Sequence, residues 1–122
     1  MRKTSRQPAA APGQSLRRSP CPVACALDLV GDRWTLLIIR DLLAGKKRFN
    51  ELRASPEKIP TNILAERLKR LGRAGLLTSV PYEHRPLRVD YLLTPKGRQL
   101  GRVVQALANW GLEHLSETGR NL

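Results

Sequence analysis

Apolar residues recur at Val23, Ala24, Leu27 and Val30, a three- and four-residue spacing that predicts a short helix from about 23 to 30, stopped by Gly31. Asp32 is placed to cap the next helix, 33–43, where RWTLLIIRDLL is apolar on nearly all sides and only Arg40 and Asp41 interrupt it. Such a helix belongs at the centre of a core. Gly45 and Lys46 break the run. The stretch 47–50 can pair as a short strand, and Phe49 and Leu52 anchor a brief helix ending near Ser55-Pro56.

Leu64, Leu68 and Leu71 then fall on one face of a helix over 61–74, with Ile63 and Arg67 flanking the stripe. Its outward face holds Asn62, Ala65, Glu66, Lys69, Arg70 and Arg73. Thr61 is a plausible N-cap, and Gly75 suits the left-handed turn that follows a last helical residue. Strands are predicted at 76–82 and 87–93, with Val80, Tyr82, Val89 and Tyr91 supplying β-branched and aromatic positions around Glu83-His84-Arg85-Pro86. Thr94-Pro95 opens a final helix, 95–115, with apolar residues at Leu100, Val103, Val104, Leu107, Trp110 and Leu115. That helix is too long and too apolar for so small a domain, so part of it should meet a second subunit. The order spells a mainly α fold with a small β-hairpin wing, a winged helix-turn-helix with dimer-forming terminal helices.

Composition sharpens this picture. A chain of 122 residues supports one domain with a modest core. Residues 1–19 combine Pro, Ala, Gly, Ser and Arg without periodicity and are expected to be a flexible basic tail able to touch DNA; the domain spans 20–116 and a short tail 117–122. The formal charge is +12, and eleven basic against four acidic residues lie within 46–88, five basic and no acidic in 1–19, and six of each elsewhere. Excess positive charge thus falls on the hairpin, the preceding helices and the tail, which fits a polyanionic partner through counterion release. A basic face kept for solubility is the plainer alternative. No apolar run nears the roughly 18 residues of a membrane span, and the N-terminus has no apolar segment after its charges, so no membrane role is expected and the chain reads as cytoplasmic. Cys21 and Cys25 do not form a secreted disulfide framework. A zinc site would need further ligands, and His84 and His114 are far apart in the chain; with no phosphate loop and no paired nucleophile and base, neither a metal, a cofactor nor an enzyme is expected.

The chain resembles the HxlR family of winged helix-turn-helix transcriptional regulators, relatives of the MarR group, over about 21–115. The marks are CPV at 21–23, LDLVGDRWTLLIIRDLL at 27–43, RFNEL at 48–52, IPTNILAERLKRL at 59–71, AGLL at 74–77, and DYLLTPKG at 90–97 followed by Trp110-Gly111. Asp32, where the family often has glycine, and the additional Cys25 depart from the pattern. The resemblance implies a homodimer on double-stranded DNA, at a pseudo-palindromic operator near a promoter, most simply as a repressor, and a small-molecule or oxidant effector.

Candidate DNA-binding residues follow from this frame. The helix from Thr61 should enter the major groove, where Asn62, Lys69, Arg70 and Arg73 donate to base edges or phosphates and Glu66 accepts from a cytosine amino group, with Thr61 and Ala65 on the same face. As ordinary surface residues, Glu66 and Arg70 would instead form an i to i+4 pair worth about 0.2 to 0.5 kcal/mol. In the wing, His84, Arg85 and Arg88 suit phosphate or a narrow minor groove, while Lys46, Lys47 and Arg48 suit backbone contacts. Cys21, starting the first helix, is the candidate redox sensor, because helix N-termini favour a thiolate; a buried residue at the dimer interface is the alternative. The family resemblance supports the sensor reading, since a cysteine in this position responds to oxidants in several members. Cys25 is expected in the core. A non-specific architectural nucleic-acid binder remains the competing function.

Overall fold

The computed structural model describes residues 19–115. The tail expected over 1–19, Ser19 apart, and the segment 117–122 lie outside the described residues. Eight elements follow in order: α1 Pro22–Val30, α2 Thr35–Leu43, α3 Phe49–Arg53, α4 Thr61–Arg73, β1 Leu77–His84, β2 Leu87–Leu93, α5 Pro95–Arg98 and α6 Gly101–His114.

The core gathers where the apolar stripes converge. Ile38, Ile39 and Leu42 of α2, Leu52 of α3, Leu64, Leu68 and Leu71 of α4, and Leu76, Leu77 and Leu93 at the base of the hairpin form one buried cluster. The α2 helix is its spine, as its all-round apolar sequence requires. Asp41, buried on that helix, accepts hydrogen bonds from Arg40 and from the Ser55 hydroxyl, and Lys46 Nζ donates to Ser55 Oγ at 3.1 Å. That network closes the 44–58 connection over the polar side of α2. Arg40 also clamps Glu57 with two hydrogen bonds, which hold the Glu57 carboxyl down at about 2.

Several boundaries differ from the periodicity-based expectation. The second helix starts at Thr35, because Asp32 caps from three residues upstream, its Oδ2 accepting from the backbone N–H of Trp34 and Thr35. No strand forms at 47–50; a single hydrogen bond from Tyr91 N to Lys47 O is what remains of it. Glu51 takes the Lys47 and Arg48 N–H groups instead and so caps α3. Thr61 is not an N-cap: Pro60 holds that position with no side-chain bond, and Thr61 is the first helical residue. The other end behaves as the sequence suggests. Gly75 has φ +77°, its N–H reaches Gly72 O, and Leu76 N reaches Leu71 O, a Schellman closure that turns the chain into β1.

The hairpin is longer than expected. β1 runs on to His84, leaving Arg85-Pro86 as the tip, and Tyr82 is an extra residue in the ladder between Pro81 and Glu83. Such a bulge tolerates Pro81 and swings the Tyr82 ring under the Arg48 guanidinium, 3.7 Å from ring centroid. The final helix is two pieces. Thr94 caps α5 through a bond from Gly97 N, the chain turns at Gln99 and Leu100, and α6 continues with none of its residues fully buried.

Candidate nucleic-acid interface

α3 and α4 are joined by the seven-residue connection 54–60 and followed by the hairpin, so α4 stands as the second helix of a helix-turn-helix with a wing beside it. Its buried edge, Leu64, Leu68 and Leu71, is fixed by the core. The opposite edge exposes Thr61, Asn62, Ala65, Glu66, Lys69 and Arg73. An open groove of about 520 Å³ runs between this edge and β1, lined by Ala65, Lys69, Gly72, Thr78 and Ser79. A second, of about 680 Å³, lies between the start of α3 and the hairpin, lined by Arg48, Phe49, Asn50, Tyr82, Arg88 and Tyr91. Burial in this region pushes the Tyr91 hydroxyl above its ordinary pKa.

Arg70 departs from the expected outward face. Its Nη2 donates to Leu29 O at 2.9 Å and to Asp32 Oδ1 at 3.2 Å, and lies 3.4 Å from Thr35 Oγ1. The alternative pairing of Glu66 with Arg70 is also absent, and Glu66 bonds Arg67 instead. The cause is geometric: position 70 is adjacent to the Leu64–Leu68–Leu71 stripe, and Asp32 offers it an anion that solvent does not. Periodicity alone could not find Asp32 as the partner, since it is 38 residues away in the chain. Burial works to raise the Asp32 carboxyl, but bonds from Thr35, Arg67 and the Trp34 N–H outweigh it and bring it down to about 2.

The other predicted cations divide the same way. Arg48 Nε donates to Asp90 Oδ1 at 2.9 Å, and Lys47 Nζ approaches the same carboxylate at 3.8 Å, tying the start of α3 to β2. Lys46 is turned toward Ser55. Arg88 pairs with Glu83 across the hairpin at 3.1 Å, both half exposed. Lys69, Arg73 and Arg85 are exposed, as is His84 near the wing tip. The sequence therefore brings Thr61, Asn62, Ala65, Lys69 and Arg73 to one face with the hairpin beside it, and withdraws Arg70.

Two further helices expose apolar side chains. Val23 and Leu27 of α1 are 66% and 54% exposed, so the first part of the stripe on that helix faces outward while Val30 at its end is buried, and Leu107, Trp110 and Leu112 of α6 are also more than half exposed. The Trp110 ring lies 4.9 Å from that of His114. Cys21 precedes α1 in extended conformation, exposed, with its N–H on Ser19 Oγ; Cys25, partly buried, donates its S–H to Ser19 O at 3.2 Å rather than entering the core. No helix among the described residues is long and apolar enough to cross a membrane.

A central buried helix, a helix-turn-helix pair and a two-stranded antiparallel hairpin define a winged helix-turn-helix protein. Comparison with known proteins agrees in detail. The chain belongs to the HxlR-like helix-turn-helix family, which matches residues 29–119. A Mycobacterium tuberculosis protein named an uncharacterized HTH-type transcriptional regulator is 45% identical over 93 residues, 76% of this chain and 58% of the relative. The chain thus spans less than two thirds of that relative's length. The solved structure of the redox regulator HypR in its oxidized form aligns with TM-score 0.70 and 34% identity, covering 77% of this chain and 97% of that one. The reduced form of the transcriptional regulator YodB from B. subtilis aligns with TM-score 0.64 and 36% identity over 79% and 95% of the two chains.

Proposed function

We propose that the chain is a homodimeric transcriptional repressor that reads a pseudo-palindromic operator in double-stranded DNA. α4 lies in the major groove, Thr61, Asn62, Ala65 and Lys69 face base edges, and Arg73 reaches the backbone. The wing follows the neighbouring groove with Arg85 at its tip and Arg88 and His84 behind it, while Lys47 and Arg48 supply backbone contacts beside the wing. The observation that carries this reading is the polar α4 face with Asn62, Lys69 and Arg73 exposed beside a hairpin that ends in an exposed arginine. Two copies pair through the apolar faces of α1 and α6, which places the reading helices about 34 to 36 Å apart, one turn of B-DNA. Occupying a promoter in this way blocks polymerase.

Cys21 makes the repressor responsive to thiol oxidants. With hydrogen peroxide, its thiol becomes a sulfenic acid and one water is released, and the added polar oxygen at the start of α1 disturbs the dimer. Its exposure, and the redox behaviour named for HypR, support this reading.

Binding of the purified protein to its own upstream DNA and to an unrelated duplex, at two salt concentrations and with or without peroxide, tests sequence-specific recognition and thiol response together. The expected result is tighter binding to the upstream DNA on the order of 10³-fold or more. Peroxide should release the wild-type protein and leave a Cys21→Ser variant bound. Equal affinity for both duplexes, falling steeply with salt, would establish the architectural binder instead.

A further inference from the structure

Arg70 does more than turn away from the DNA-facing edge. Leu29 lies in the last turn of α1, where a helix leaves its final carbonyls without partners, and Arg70 Nη2 fills that vacancy at 2.9 Å. The same nitrogen reaches Asp32 at 3.2 Å, and Arg67, one turn earlier on α4, donates from Nε to the other Asp32 oxygen at 2.9 Å. Asp32 in turn caps α2 and accepts from Thr35 Oγ1 at 2.5 Å. One carboxylate and one carbonyl thus join the end of α1, the start of α2 and the middle of α4. The Arg70 Nε is buried without a hydrogen-bond partner, so this side chain is held by what its far end grips.

We infer that Arg70, seconded by Arg67, is a positioning residue for operator recognition: it couples α1 to the reading helix through Leu29 O and Asp32 and so sets the attitude at which α4 meets DNA. This rests on the operator reading given above. α1 is nine residues and about 13 Å long, with Cys21 before one end, Val23 and Leu27 exposed along it and the Arg70 grip at the other end. A displacement of α1 at a subunit contact therefore passes to α4 through a fixed ionic joint. Recruiting Arg70 to a phosphate would strip Leu29 O of this donor and Asp32 of one of its two arginines.

The test compares wild type, Arg70→Met, Asp32→Asn and the double variant on the tightest-binding duplex from the upstream DNA, on versions with one base pair added or removed between half-sites, and on an unrelated duplex. Each single variant should lose about tenfold in operator affinity and the double no more than the weaker single. The slope of log affinity against log salt should stay at the wild-type value, and the penalty for altered spacing should shrink. Asp32→Asn keeps an acceptor at the start of α2, so it carries the test should Arg70→Met fold poorly. The inference is overturned if Arg70→Met lowers the salt slope by about 0.9 per protomer, the mark of a lost phosphate contact, while Asp32→Asn binds as wild type. Additive losses, or an unchanged spacing penalty, overturn it as well. A wild-type protein that does not distinguish operator from unrelated DNA removes the operator reading itself, a result separable from any behaviour of the variants.

Discussion

Replacing Gly97 by alanine tests the packing that seats the wing. Gly97 is buried in α5, and a Cβ built on it would lie 2.0 Å from Leu76 O, 3.0 Å from Leu76 C and 3.1 Å from Leu93 Cδ2. The obstacle is backbone, and it is not idle: Leu76 O accepts the Thr94 N–H at 3.0 Å, while Thr94 Oγ1 donates to Gly75 O at 2.7 Å and caps α5. Relieving the clash means opening this junction by about 1 Å. Overpacking of that kind costs about 1 to 3 kcal/mol, and losing the Thr94 to Leu76 hydrogen bond adds about 1 kcal/mol. Alanine returns about 1 kcal/mol as the better helix former, leaving a net loss of roughly 1 to 3 kcal/mol. For a domain of this size that lowers Tm by several degrees per kcal/mol, about 4 to 8 °C each. Gly72→Ala is the matched control, because its nearest foreign atom, Leu77 O, is 3.9 Å from the new Cβ. It should stabilise by about 0.5 to 1 kcal/mol. Urea denaturation of both variants reads the two signs directly. Were Gly97→Ala as stable as wild type, the close approach of α5 to Leu76 would be wrong and with it the seating of the hairpin.

Leu64→Ala empties the fully buried centre of α4's inner face and should cost about 2 to 5 kcal/mol in urea unfolding; a loss under 1 kcal/mol would mean the helix is not anchored there. Asp32 has a folded pKa of about 2 against an ordinary 3.8, so its contribution is complete above pH 3.8 and disappears as pH falls through 2. Solvent screening at this partly exposed site keeps the contribution below the roughly 2 kcal/mol that the full shift would give; wild type should lose stability relative to Asp32→Asn across this window, and parallel pH profiles would contradict the assignment. Trp110→Ala should weaken self-association at least tenfold in sedimentation equilibrium, whereas an unchanged dimer would move the interface elsewhere on the chain.

What the sequence made legible was governed by local rules. The leucine stripe of α4, the left-handed Gly75 and the capping pair Thr94-Pro95 each follow from residues within a turn or two of one another, and each takes its place in the fold. The misplacement of Arg70 has another cause, a partner distant in the chain. Arg70 looks outward on a helical wheel until Asp32 is brought beside it, and the contacts of Arg48 with Asp90 and Tyr82 are likewise invisible to local spacing. The split between α5 and α6 was hidden for a different reason. The apolar stripe of the predicted helix begins only at Leu100, which is itself the residue at the break, so apolar periodicity carries no signal for a turn that the packing of Gly97 on Leu76 accompanies.

These pairings also bear on how the positive charge can be used. An exposed ion pair contributes about 0 to 1 kcal/mol, so Arg88 can leave Glu83, with both side chains 53% exposed, for a phosphate at little cost. Arg48 sits on Asp90 and stacks on Tyr82 but is itself 44% exposed, which leaves one side of its guanidinium open to a passing backbone. Arg67 and Arg70 differ in kind: both are less exposed, and between them they hold a carboxylate that also caps α2. Removing either donor leaves a partly buried anion short of its counter-charge, a loss of about 3 to 5 kcal/mol where burial is complete and less here. Phosphate affinity should therefore come from the hairpin and the ends of α4, while the middle of that helix contributes orientation. On the proposed operator reading, a reading helix whose central arginines serve the scaffold would leave base discrimination to the short side chains around Asn62 and Ala65.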